Sequence, residues 1–162
     1  IRDEALLAKI VEETARYYAK TVRMLKHPVT RTLFGWYRRH ELEAALPMLS
    51  NFEQLVADCE EGQDSVLRGA PCLLMFHGNP SAPMADRNAQ LALQNATLLA
   101  ETLGLASFYT GYIVGACERD RKLTRLMNIP HGQHVYAGLA LGYPKYSFRK
   151  WVARGPAEVN WL

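Results

Sequence analysis

Cysteine is scarce in this sequence. Its 162 residues contain three, Cys59, Cys72 and Cys117, far apart and with no Cys-x-x-Cys pair. An odd, scattered set excludes a disulfide framework and gives no iron–sulfur or zinc ligand pattern; it points to a reducing, cytoplasmic compartment. Long hydrophobic runs are also missing. No stretch approaches the ~20 apolar residues of a membrane-spanning helix, so no membrane partner is expected. No signal-peptide pattern is present. The first residue is Ile rather than Met, which fits a processed, truncated or partly observed protein. Charge of one sign is lacking too: the formal net charge is +3, with basic residues interleaved with Asp and Glu, so nucleic acid is not an expected partner. No Ser–His–Asp or Cys–His arrangement for covalent catalysis stands out.

What is present is an ordinary globular balance, 49% hydrophobic and 22% charged, enough for one domain with a real core. Residues 3–25 place Leu6, Leu7, Ile10, Val11, Tyr17, Tyr18, Val22 and Leu25 at helical spacing, with Asp3 and Glu4 at the favourable end of the dipole. His27-Pro28 ends that helix. Residues 29–39 and 41–60 read as amphipathic helices, with Pro47 marking a break or a start. Residues 61–70 read as a loop. The run PCLLMF, residues 71–76, has the profile of a buried central strand.

A Pro- and Gly-containing loop over 78–85 follows, with Asp86 as the expected cap of a helix over 86–103. That helix is poor in charge, which places it in the core or in a subunit interface. Residues 105–109 read as a short strand, 111–118 and 119–128 as two short helices, and VYAGLAL, residues 135–141, as a second buried strand. The tail 145–162 is basic, aromatic and irregular. The order predicts an α+β fold with a small mixed sheet flanked by helices.

Isolated features carry bland readings. His131 and His134 lack the further ligands and supporting groups of a metal pair, so two loop histidines and no metal are expected. Cys72 and Cys117 read as core residues. Trp36, Tyr37 and Trp151 read as core or interface aromatics, and Tyr136 and Tyr143 as packing beside the last strand. Asn88, Gln94 and Asn95 fit hydrogen bonding across a helix interface.

Three stretches in register carry a resemblance. They are RGAP followed by CLLMFHG; the helix and turn ADRNAQLALQNATLLAETLGLASFYTGY; and IPHGQHVYAGLALGYPK with ARGPAEVNWL after it. Together they resemble the nitroreductase family of FMN-dependent NAD(P)H oxidoreductases over residues 68–162. Residues 1–60 fit less specifically, as the helices before the central strand. The resemblance implies a nitroreductase-like fold, an intertwined homodimer with FMN at its interface, and NAD(P)H as co-substrate. It implies ping-pong reduction of a small, electron-poor acceptor.

It also implies a site. The turn Tyr109-Thr110-Gly111 would present backbone amides to the flavin edge, with Phe108 lining the approach. Arg154, followed by Pro156 and Glu158, would grip the phosphate, with Lys150 and Arg149 near it and Lys145 a weaker candidate. Taken alone, the same residues also read as a plain turn with a glycine cap and a charged surface tail. The family's N-terminal Arg-rich segment is absent. On that basis residues 1–162 form a single domain corresponding to the C-terminal two-thirds of the full one. Thr110 also stands where many relatives have an acidic residue. Both departures favour an alternative, a flavin-free relative serving as a dimeric binding module. A third possibility, an unrelated helical protein, predicts no sheet at all.

Overall fold

The computed structural model describes residues 1–146 and 155–161. Helix α1 (Glu4–Lys26) starts where the Asp3 carboxylate accepts the Leu6 amide at 2.7 Å, and it stops at His27 before Pro28. Pro28 opens α2 (Pro28–Tyr37), a position that needs no amide donor. Then come α3 (Arg39–Ala45), a 3₁₀ turn (Leu46–Met48) holding Pro47, and α4 (Leu49–Glu60). The proline therefore breaks the expected 41–60 helix into pieces.

Strand β1 (Cys72–Gly78), helix α5 (Ala85–Thr102) and strand β2 (Ala106–Tyr109) form a strand–helix–strand unit. Two short helices, α6 (Gly111–Cys117) and α7 (Arg121–Leu126), precede strand β3 (His134–Gly142). The sheet order is β1-β3-β2, and β3 runs antiparallel to both neighbours. The sequence predicts a mixed sheet; among the described residues the pairings are antiparallel. The reason is topological. β1 and β2 do run in one direction, as a helical crossover requires, but β3 slots between them. The sheet itself removes the purely helical alternative.

The two faces of the sheet carry two cores. Leu73 and Ala140 face α1, α4 and α6, packing with Leu7, Ile10, Phe52, Leu55, Ile113 and Leu123. Leu74, Phe76, Ala137, Leu139 and Leu141 face α5 and surround Leu93. The alternation is the period of two expected of a strand. It slips at the register shift between Phe76 and His77, beyond which Val135 joins the first core. Tyr18 sits at the centre of an aromatic group with Tyr17, Phe52 and Tyr112, and its hydroxyl donates to the Tyr112 carbonyl at 3.1 Å. That bond ties α1 to the start of α6.

Several expectations are corrected. Asp86 is not the cap of α5; the cap is Met84, in a left-handed conformation at φ 58°, and Asp86 lies in the first turn, where the dipole favours it. Trp36 and Tyr37 are exposed, as is Tyr143 at 86% exposure, so none of them packs in this chain's core. Cys72 is half-buried, whereas Cys117 is buried as expected. Helix α5, expected in the core or in a subunit interface, buries Leu93, against the sheet, and Ala100, while Leu91, Leu98 and Leu99 on it and Leu103 just past its end are each more than half exposed. Trp151 lies outside the described residues.

Candidate functional site

The junction between β2 and α6 is built by β3. Tyr109 pairs with Leu139, and one step on the Thr110 amide donates to the Gly138 carbonyl at 3.0 Å. The Thr110 side chain turns inward over Gly138, leaving the residue 2% exposed. A Cβ on Gly138 would stand 2.2 Å from Thr110 Oγ1, so only glycine lets the junction lie this close to the strand. Thr110 Oγ1 is buried and has no hydrogen-bond partner among the described residues. Buried hydroxyls are ordinarily paired, so this one marks the junction as unusual.

The consequence is a division of labour. The Thr110 amide is already engaged by Gly138. The Gly111, Tyr112 and Ile113 amides open α6 and have no carbonyl partner among the described residues. Gly111 is exposed, and apart from its own neighbours along the chain no atom of the described residues lies within 4 Å of where a Cβ would be. Tyr109, 58% exposed, stands on the opposite side of β2 from Thr110. The junction thus offers free backbone donors beside open space, next to an exposed aromatic ring. That arrangement suits a flat ligand edge carrying acceptor or anionic atoms.

Tyr109, Thr110 and Gly111 are therefore brought together, as expected from their contiguity. Arg154, Lys150 and Arg149 lie outside the described residues. Lys145 is exposed, its ammonium 5.7 Å from the Tyr146 ring centroid. Gly138 was not picked out by the sequence reading. Its signal was a glycine inside an otherwise apolar strand run, GLALG, which marks close backbone approach.

A second residue escaped notice. Arg68 has φ 54°, in the left-handed region, and its guanidinium carbon lies 5.3 Å from the centroid of the Phe108 ring. Phe108 is three residues before Gly111.

Elsewhere the chemistry is quiet. His131 is exposed, while His134 is half-buried at the start of β3, its ring 4.8 Å from that of Tyr136. His77 pairs with Gln133. Among the described residues no group of three His, Cys, Asp or Glu is placed to hold a metal. Burial pushes the Cys117 thiol up to about 12, so it is an inert core group. No helix among the described residues is long and apolar enough to cross a membrane.

A groove of about 840 Å³ is formed by α1, α4 and the loop 62–71, including Leu7, Val11, Val56 and Leu67. It includes no residue of the β2–α6 junction. The two are separate features.

The model of the nitroreductase family matches residues 3–143. The structure of a Bacteroides fragilis nitroreductase with bound FMN is similar, with a TM-score of 0.65 at 18% identity, over 100% of this chain and 73% of that one. A Desulfitobacterium hafniense nitroreductase with bound FMN gives 0.62 at 17% identity, over 95% and 69%. An oxidized iodotyrosine deiodinase bound to FMN and 3-iodo-L-tyrosine gives 0.54 at 20% identity, over 97% and 73%. Likeness at these identities shows the fold. Among functionally curated proteins, none matches.

Proposed function

From the premise that the chain belongs to the nitroreductase family, we propose that it is an FMN-dependent oxidoreductase that reduces a small electron-poor acceptor with electrons from NAD(P)H, by a ping-pong scheme. The observation that carries this reading is the β2–α6 junction. It offers unpartnered amides at Gly111 and the start of α6, an open space over Gly111, and the exposed Tyr109 ring. Those residues fit the edge of a flavin ring. FMN, when bound, supplies a two-electron carrier that no side chain can replace.

The chain's own part is positional. The Gly111 amide would donate to the ring edge, and the Tyr109 ring would line its approach. Thr110 contributes by anchoring the turn to Gly138 rather than by reaching the ligand. Arg154, with Lys150 as a second candidate, would take the phosphate, because a guanidinium meets phosphate in a bidentate fork.

The site is completed by a second copy of the chain. The exposed leucines of α5, Leu91, Leu98, Leu99 and Leu103, form an apolar face that a homodimer would cover. The family's cytoplasmic setting fits the scattered free cysteines.

We propose further that residues 1–162 belong to a single nitroreductase-like domain, its first residue tied to its first strand. The Ile1 amine donates to the Leu73 carbonyl at 2.8 Å, and the Leu73 amide donates back to Ile1 at 2.9 Å, on the outer edge of β1. That exchange is one rung of an antiparallel ladder, and the apolar groove beside α1 needs a cover.

Initial rates measured at several fixed donor concentrations test the reaction scheme. Parallel double-reciprocal lines are expected for ping-pong turnover. Intersecting lines would show both substrates bound at once and would reject it.

A further inference from the structure

The loop before β1 is held with unusual firmness. The Asp64 carboxylate accepts the Val66, Leu67 and Gly69 amides at 3.0, 2.7 and 2.9 Å. The Arg68 amide reaches the Asp64 carbonyl at 3.1 Å, and the Ala70 amide reaches the Leu67 carbonyl at 2.9 Å. Within this clasp Arg68 and Gly69 both take left-handed backbone, at φ 54° and 72°. Glycine is at home there; arginine is strained, and such strain persists only where surrounding contacts enforce it. A second glycine would serve the loop's geometry better. What the arginine adds is its side chain.

That side chain goes to the junction. Its guanidinium stacks over Phe108, a half-buried residue on the edge strand β2, which has no strand neighbour on its outer side among the described residues. Phe108 lies three residues before Gly111; Tyr109 ends the strand, and Thr110, at φ −95° and ψ 60°, turns the chain into α6. Arg68 makes no ion pair among the described residues, a state it shares with Arg2, Arg23, Arg31, Arg87, Arg121 and Arg125; it differs from them in lying over an aromatic ring. Stacking engages the face of a guanidinium and leaves the N–H groups at its rim free to donate. A cation with no ion-pair partner among the described residues therefore lies over Phe108, near the C-terminal end of β2, and the free amides follow that same end.

We propose that Arg68 and Phe108 form an anion subsite beside the junction, and that the acceptor this site prefers is a flat aromatic molecule bearing a carboxylate. The proposal rests on the flavin reading of the junction but concerns a different residue and a different ligand. The ring lies toward Gly111, and the carboxylate meets the rim of Arg68.

The test is a matched pair of probes, 4-nitrobenzoate and its methyl ester, which share a ring and differ in charge. Binding is measured by calorimetry to the wild-type protein, to Arg68→Met and to Arg68→Lys, after incubation with FMN and desalting. The methionine keeps an apolar cover on Phe108 and removes the charge. The expected result is tighter binding of the anion by wild type, and a roughly ten- to hundredfold loss of that binding in Arg68→Met, the range for a hydrogen bond between charged groups. The ester's affinity should be unchanged, and Arg68→Lys should recover part of the loss.

No preference for the anion in wild type would overturn the proposal. So would an equal loss for both probes, which would make Arg68 only a cover for Phe108. The flavin absorbance of the same samples is read separately. A colourless wild type would reject the flavin reading, and the ratio of anion to ester binding would still decide the role of Arg68.

Discussion

Gly138→Ala is the sharpest perturbation of the junction. The added methyl carbon would stand 2.2 Å from Thr110 Oγ1, 3.1 Å from Met75 Sδ and 3.3 Å from Met75 Cε. Met75 is flexible and can yield. Thr110 is β-branched, buried, and tied through its amide to the same residue that carries the new methyl. The β2–α6 turn must therefore lift away from β3. Overpacking of this kind costs about 1–3 kcal/mol. For a domain of this size each kcal/mol lowers the melting temperature by about 2–4 °C.

The lift also moves the Gly111 amide, so FMN affinity should fall along with stability. Removing the obstacle should reverse both effects. The double variant Gly138→Ala/Thr110→Ala should recover most of the loss, with a coupling of about 1–2 kcal/mol between the two sites. Urea unfolding of the four proteins, with FMN titration alongside, measures this. Strictly additive losses, or a Gly138→Ala variant as stable as wild type with unchanged FMN affinity, would refute the close-approach argument.

Thr110→Val keeps the volume and removes an unpartnered buried hydroxyl, so urea unfolding should show a stabilisation of about 1 kcal/mol. Glu13, which bridges Arg16 and Lys122, has its carboxyl held below the ordinary 4.5, chiefly by the hydrogen bond from Lys122. A lowered carboxylate stabilises above its unfolded value and loses that contribution as pH falls through the lowered one. The stability gap between wild type and Glu13→Gln should therefore be constant above about pH 5.5 and close as pH drops below 4.5, as followed by urea unfolding across pH. Leu98→Glu places a charge on the exposed face of α5, 53% exposed in the single chain. Light scattering should show a dimer in wild type and a shift toward monomer in the variant.

Much of the fold was legible because its signals are local and periodic. The α1 pattern ran from Asp3 to Pro28 with a cap at one end and a breaker at the other, and both do what their chemistry requires. PCLLMF and VYAGLAL were bounded apolar runs, and they became the edge and the centre of one sheet. Sheet polarity was not legible, because nothing in a strand's own residues says which later strand will slide in beside it. The exposure of Trp36 and Tyr37 was hidden for a similar reason: an aromatic residue on a helix reads the same whether it meets its own core or solvent.

At the site, Tyr109-Thr110-Gly111 could be found because the three are contiguous. Their roles could not be divided until the partner strand put Gly138 under Thr110 and left Gly111 clear. Arg68 escaped for the same reason. Its partner, Phe108, is 40 residues away in sequence, and only the clasp by Asp64 and the stacking distance bring the pair to notice.

The central claim is that the junction holds a flavin, and the visible absorption spectrum tests it most directly. The protein, produced from its full gene, is incubated with FMN, desalted and scanned. The account predicts a retained flavin spectrum at about one flavin per subunit. A folded, dimeric protein that comes off the column colourless would contradict it and leave the fold serving as a binding module without a flavin.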